Sequence, residues 1–182
     1  MTRNTKHSFY IFLIQIKVLN SIINKKQLEH DMLKDYVINP GIGIGQIKFG
    51  IVRDELQNLI GSPDNIESNN DIEDDVDITW EYQGGTLLFY FDEEDKYKLG
   101  GIELENPEVE LFGAKIFDLT INETKELLDK NDAIDIEEED VDSEIVLSID
   151  SIGLTLYYEN NELDSVQISP LYLDDENFKW PE

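Results

Sequence analysis

A chain of 182 residues, 40% hydrophobic and 10% aromatic, holds enough apolar material for one sizeable domain or two small ones sharing a core, which argues against global disorder. Its 41 acidic and 14 basic side chains give a formal net charge of −27, a field that repels nucleic acid, anionic lipid and phosphorylated substrates and attracts a basic partner, unless the acidity only serves solubility. With no cysteine there are no disulfides, no thiolate nucleophile, no zinc–thiolate site and no lipidated anchor.

Residues 1–31 differ from the rest. They carry five basic groups (Arg3, Lys6, Lys17, Lys25, Lys26) against Glu29 and Asp31, and they contain both histidines, His7 and His30. The apolar stretch 9–23 is too short and too interrupted to span a bilayer, which needs about 20 apolar residues. It follows a basic start, yet no small-residue cleavage site follows it. We expect an N-terminal extension that lies outside the domain, a cytoplasmic protein with Met32 as its start, or an exported one if residues 1–31 act as a signal. In either case the body has no imidazole for acid–base chemistry, which disfavours a Ser–His triad.

The next segment, "GIGIGQIKFG" (41–50), raises the question of a phosphate-binding loop. Such a loop follows a strand and opens a helix. Here the glycines are spaced G-x-G-x-G, an extended "QIKF" follows, and no Walker lysine is present. The glycines are expected to let the chain turn.

A helix is predicted after residue 52, ended by Gly61 and Pro63, with Leu56, Leu59 and Ile60 facing inward. Strands are expected at 77–83, 86–92 and 99–105. The second half repeats the pattern at an offset of 67–68: "FGAKIFDLTINETKELLD" (112–129) lies on "IGQIKFGIVRDELQNLIG" (44–61), with Gly45 on Gly113 and Phe49 on Phe117. Thr120 and Glu123 form a capping box before the second helix, where Val52 offers no acceptor. Strands are expected at 144–150, 153–159 and 164–169. The runs "DIEDDVD" (71–77), "DEED" (92–95) and "DIEEEDVDSE" (135–144) lack the alternating ligands and central glycine of a calcium loop and read as solvated acidic loops.

The expected fold is α+β: two tandem helix-plus-antiparallel-meander units, 32–108 and 109–182, forming one sheet with helices on one face. Leu87, Phe89 and Phe91 then face the helices with Leu154, Leu156 and Tyr158. Leu88, Tyr90, Thr155 and Tyr157 face out. A one-residue slip at the glycine pair would invert the first set.

Residues 47–66 resemble the helix-opening motif of small outer-membrane-assembly lipoproteins and of β-lactamase inhibitor proteins, through Gly50, Glu55, Leu56, Ile60, Gly61, Pro63 and Asp64. The resemblance spans about residues 40–172 and implies a concave sheet backed by helices that grips another protein. The lipidated cysteine of the lipoproteins and the disulfides of the inhibitors have no counterpart here, so what carries over is the scaffold.

We therefore expect a non-enzymatic protein-binding module, of inhibitor or immunity type, that occludes a basic protein. Its partner-binding residues would be Glu81, Leu88, Tyr90, Glu103, Glu105, Tyr157 and Gln167, with no cofactor, metal, nucleic acid or membrane span. The alternatives are an envelope assembly factor and an acid-based hydrolase with paired carboxylates.

Overall fold

The computed structural model describes residues 35–72, 75–133, 135–141, 143–173 and 177–182. The expectations for residues 1–31 lie outside the described residues.

The chain enters through three two-residue strands, β1 (Ile38–Asn39), β2 (Gly43–Ile44) and β3 (Ile47–Lys48), paired antiparallel in that order. The glycine run makes this tight winding practicable. Gly43 has φ +143°, and a Cβ there would stand 2.0 Å from the Ile47 carbonyl oxygen. Only glycine tolerates both the conformation and the approach. Helix α1 (Arg53–Ile60) follows; the Glu55 carboxylate accepts the Val52 N–H, and valine has no acceptor to return. Gly61 (φ +87°) stops the helix, and its carbonyl accepts the Tyr82 hydroxyl at 2.9 Å.

Four strands come next: β4 (Asn65–Ile72), β5 (Asp75–Tyr82), β6 (Leu87–Asp92) and β7 (Lys98–Leu104). A small hairpin, β8 (Glu110–Leu111) and β9 (Ala114–Lys115), leads to α2 (Ile121–Lys130), so the unit boundary expected at 108/109 falls in the turn before β8. The capping box is formed: Glu123 N–H donates to Thr120 Oγ1, and the Glu123 carboxylate accepts from Thr120 N–H. Then come β10 (Ile136–Val141), β11 (Glu144–Ile149), β12 (Leu154–Glu159) and β13 (Glu162–Ile168), and last a short hairpin, β14 (Leu171–Tyr172) and β15 (Phe178–Lys179).

The body is one eight-stranded antiparallel sheet in the order β10-β11-β12-β13-β7-β6-β5-β4. This corrects the expected class. The protein is mostly β, and among the described residues there are only two α-helices, of 8 and 10 residues. Two helix-plus-three-strand units do not describe it. The acidic runs read as loops are partly strand: "IEEEDV" is the edge strand β10, and β5, next to the other edge, begins inside the first run. Like charges disfavour a central strand but suit an edge, where they deter pairing with another chain. The cover of the inner sheet face is likewise not a helical layer. Each helix buries only two residues, Leu56 and Ile60 or Thr124 and Leu128. Ile38, Ile44, Ile47, Phe49, Val109, Leu111 and Ile116, from the small strands and their turns, complete a single buried cluster.

The strand faces are those expected. Leu87, Phe89 and Phe91 are buried in alternation along β6, as are Leu154, Leu156 and Tyr158 along β12. A slip at the glycine pair does not invert the first set: a bulge between Tyr90 and Phe91 takes up Gly100, and an equivalent bulge lies between Tyr157 and Tyr158 in the second half. One pairing of the repeat does shift. Gly45 opens the β2–β3 turn with φ +52°, and the residue doing the same between β8 and β9 is Phe112, also +52°, rather than Gly113.

Among the described residues the inner face holds one fully buried side-chain hydrogen bond, from the Tyr158 hydroxyl to Thr124 Oγ1 at 2.9 Å, with both residues at most 1% exposed. Tyr158→Phe is expected to lower the unfolding free energy by about 1–2 kcal/mol, because Thr124 loses its donor where water does not reach. Combined with Thr124→Val, the loss in urea unfolding should be clearly less than the sum of the two single losses. Additive losses would show that the pair does not act as a unit.

Candidate functional site

The outer sheet face brings all seven expected residues together. Glu81 lies opposite Leu88, Leu88 opposite Glu103, Glu103 opposite Gln167, and Gln167 opposite Thr155, one row across five strands. Tyr90 and Tyr157 stand in the flanking positions and reach back to that row. The Tyr90 hydroxyl donates to Glu103 Oε2 at 2.6 Å, and the Tyr157 hydroxyl donates to Gln167 Oε1 at 3.0 Å. Since Glu103 and Gln167 face each other across the β7–β13 pair, these four side chains form one cluster at the middle of the sheet. Glu105 follows β7, is exposed, and is anchored by its backbone N–H to the Thr86 carbonyl.

The cluster is electrostatically loaded. Burial first, and then the Glu103 carboxylate as acceptor and charge, push the Tyr90 phenol well above its ordinary range, with Tyr157 adding to the shift. Burial, Glu103 and Glu144 push up Tyr157. Glu105 is raised by burial, then by Asp164 and Glu103. The three ion pairs among the described residues, Lys115–Glu108, Lys125–Glu138 and Lys130–Glu126, leave Glu81, Glu103 and Glu105 without a cation.

Sequence reasoning missed the part of this face beside the last hairpin. Phe178 of β15 lies over Gly100, whose Cβ would be 3.7 Å from the ring, and the Tyr90 ring lies 3.1 Å from where a Gly101 Cβ would stand. The two adjacent glycines let both rings rest on bare backbone. Between them opens a cleft of about 430 Å³, lined also by Asp92, Asp95, Gln167 and Tyr172. Tyr172 stacks on Phe178 with centroids 4.8 Å apart, and Phe178 meets Trp180 edge-on at 5.3 Å. Trp180 in turn packs on Gly50 and carries the Lys98 ammonium over its ring. Three aromatics at 172, 178 and 180, beyond the last repeat strand, were the available signal. The run "DEED" is the β6–β7 turn and stands at this cleft; burial and the neighbouring Asp92 raise Asp95, against Lys98.

Among the described residues no three carboxylates or imidazoles converge closely enough to hold a metal ion, and no helix is long and apolar enough to cross a membrane. No family model, curated protein or solved structure matches the chain. The resemblance noted above therefore rests on its motif residues alone.

Two outcomes follow from the charges. Because Tyr90 and Tyr157 both feel Glu103, Glu103→Gln should lower the pH at which both phenols ionise, read as phenolate absorbance in an alkaline titration against Tyr90→Phe and Tyr157→Phe references. An unchanged curve would separate the tyrosines from that carboxylate. Stability is also expected to rise on mild acidification. Asp95 and Glu105 bind protons more tightly folded than unfolded, so their contribution is full below the unfolded value and lost as pH rises through the folded one. Glu123 and Asp135 are held low by hydrogen bonds from Thr120 and Ser151, and their contribution is lost only as pH falls below the usual carboxylate range. The melting temperature should thus increase as pH falls from 7 to about 4, the ordinary carboxylate range, and decrease below it.

Proposed function

We propose that this protein is a non-enzymatic binding module that occludes a basic protein partner with the outer face of its sheet, as inhibitor and immunity proteins do. The observation that carries this reading is the central cluster: Tyr90 and Tyr157 hydrogen-bonded onto Glu103 and Gln167, with the charge of Glu103 unpaired by any cation among the described residues. Tyrosine offers a large contact area at low entropic cost, and hydrogen bonds already hold these two in place. Carboxylates around them select a basic surface and speed encounter with it. Tyr172 and Leu173, 60% and 70% exposed, extend the face with apolar contact.

The test is capture from the native cytosol at low and at high salt, with the intact chain as bait. A basic protein should be retained at low salt and weakened as salt screens the field. With that partner purified, Tyr90→Ala and Tyr157→Ala should each weaken binding about 30-fold, or about 2 kcal/mol, as for a central aromatic anchor. Glu103→Lys should slow association. Reversing Asp54 and Asp129, which lie on the helices, should leave affinity unchanged. Equal binding by the face variants, or loss with the helix variants, would overturn the reading.

A further inference from the structure

We infer that the cleft beside the C-terminal hairpin is a receptor for a single arginine side chain presented by the partner. This inference rests on the protein-binding reading above and gives it a point of anchorage.

The cleft has the two features a guanidinium group needs. Its walls are aromatic: the Tyr90 ring on one side, and Phe178 stacked with Tyr172 on the other, all positioned by contacts within the fold. A planar cation stacks on such rings, gaining more the more fully water is excluded. Three carboxylates line it, Asp77 of β5 with Asp92 at the end of β6 and Asp95 in the turn that follows, and Asp92 Oδ1 already accepts the Glu94 N–H and is thereby oriented. Asp92 repels Asp95 in the free protein, an effect Lys98 offsets in part and a further cation beside them would relieve. A bare metal ion is a poorer match, because among the described residues no three acids converge closely enough to hold one. A lysine ammonium would meet the acids but would not stack flat on the rings, and a fork of donors serves two carboxylates better than a point charge. At about 430 Å³ the space falls in the range of small-ligand pockets, large enough for one extended side chain. It is continuous with the tyrosine–carboxylate cluster through Tyr90 and Gln167, which belong to both.

The probe is N-acetylarginine amide, titrated into the full chain while amide shifts are followed, with N-acetylcitrulline amide as the neutral isostere and N-acetyllysine amide as the compact cation. Saturable shifts should centre on Gly100 and Gly101, with arginine binding at least about fivefold tighter than lysine and citrulline giving no saturation. Asp92→Asn with Asp95→Asn should weaken arginine about tenfold, and Phe178→Leu should weaken it while leaving the spectrum of the inner face unchanged. Equal binding of citrulline, lysine matching arginine, or shifts centred on the acidic edge strand β10 would each overturn the inference. The two levels separate cleanly. If the partner still depends on Tyr90 and Tyr157 but arginine does not seat in the cleft, only this inference fails. If arginine seats but no partner depends on the face, only the broader reading fails.

Discussion

The whole structure depends on the pairing of β7 with β13. It is a short seam of three residue pairs, Ile102 with Ile168, Glu103 with Gln167 and Leu104 with Val166, where β6–β7 and β12–β13 each have six. Its backbone bonds alone are too few to hold two four-stranded halves together. What holds them is the inner face: Ile102, Leu104, Val166 and Ile168 are at most 3% exposed, and burying each such side chain is worth about 1.5–3 kcal/mol. Without the seam, β7 and β13 would both become open edges inviting other chains. With it, the edges of the eight-stranded sheet are β4 and β10, and β10 is blunted by four consecutive acids.

The same three pairs build the outer face. Alternation forces Glu103 and Gln167 outward wherever Ile102, Leu104, Val166 and Ile168 point inward. The apolar side of the seam therefore dictates that a carboxylate and an amide meet at the middle of the opposite side. Tyr90 and Tyr157, one strand further out on each flank, can then lean toward the seam and donate to them. Core and candidate site are two sides of one register, and a slip of one residue would destroy both.

How much of this was legible in the sequence follows from the strength of each local signal. Alternation in "TLLFYFD" and "GLTLYYE" is strict, so the inward and outward sets of β6 and β12 could be read directly, and with them three of the seven face residues, Leu88, Tyr90 and Tyr157. Edge strands were not legible. A segment such as "IEEEDV" buries almost nothing, so burial leaves no period in it, and its strand character comes from pairing with β11 rather than from its own residues. The hairpins β1–β3 and β8–β9 have strands of two residues, too short for any period to register. Their apolar residues were nonetheless needed as cover, which is why two short helices suffice and why the class is mostly β rather than α+β. The Gly45–Gly113 pairing failed for a smaller reason. Chemical likeness between glycines was followed, whereas the turn demanded a positive φ one residue earlier, which Phe112 adopts.

The glycine pair at 100–101 shows how a single local choice serves register and recognition together. Bulging at Tyr90/Phe91 leaves Gly100 as the extra residue; a Cβ at 101 would crowd the Tyr90 ring, and one at 100 would touch Phe178, so anything longer there would compete with that ring. Bare backbone at the sheet's outer face lets the C-terminal hairpin descend onto it, and the ladder from Tyr172 through Phe178 to Trp180 fixes the hairpin against Gly50. The sheet face is thereby given a wall on one side, turning part of an open surface into a concave one. Concavity lowers local water content and strengthens every charge interaction inside. For a protein with so large an excess of acids, that is what separates a general attraction to basic surfaces from a preference for one of them.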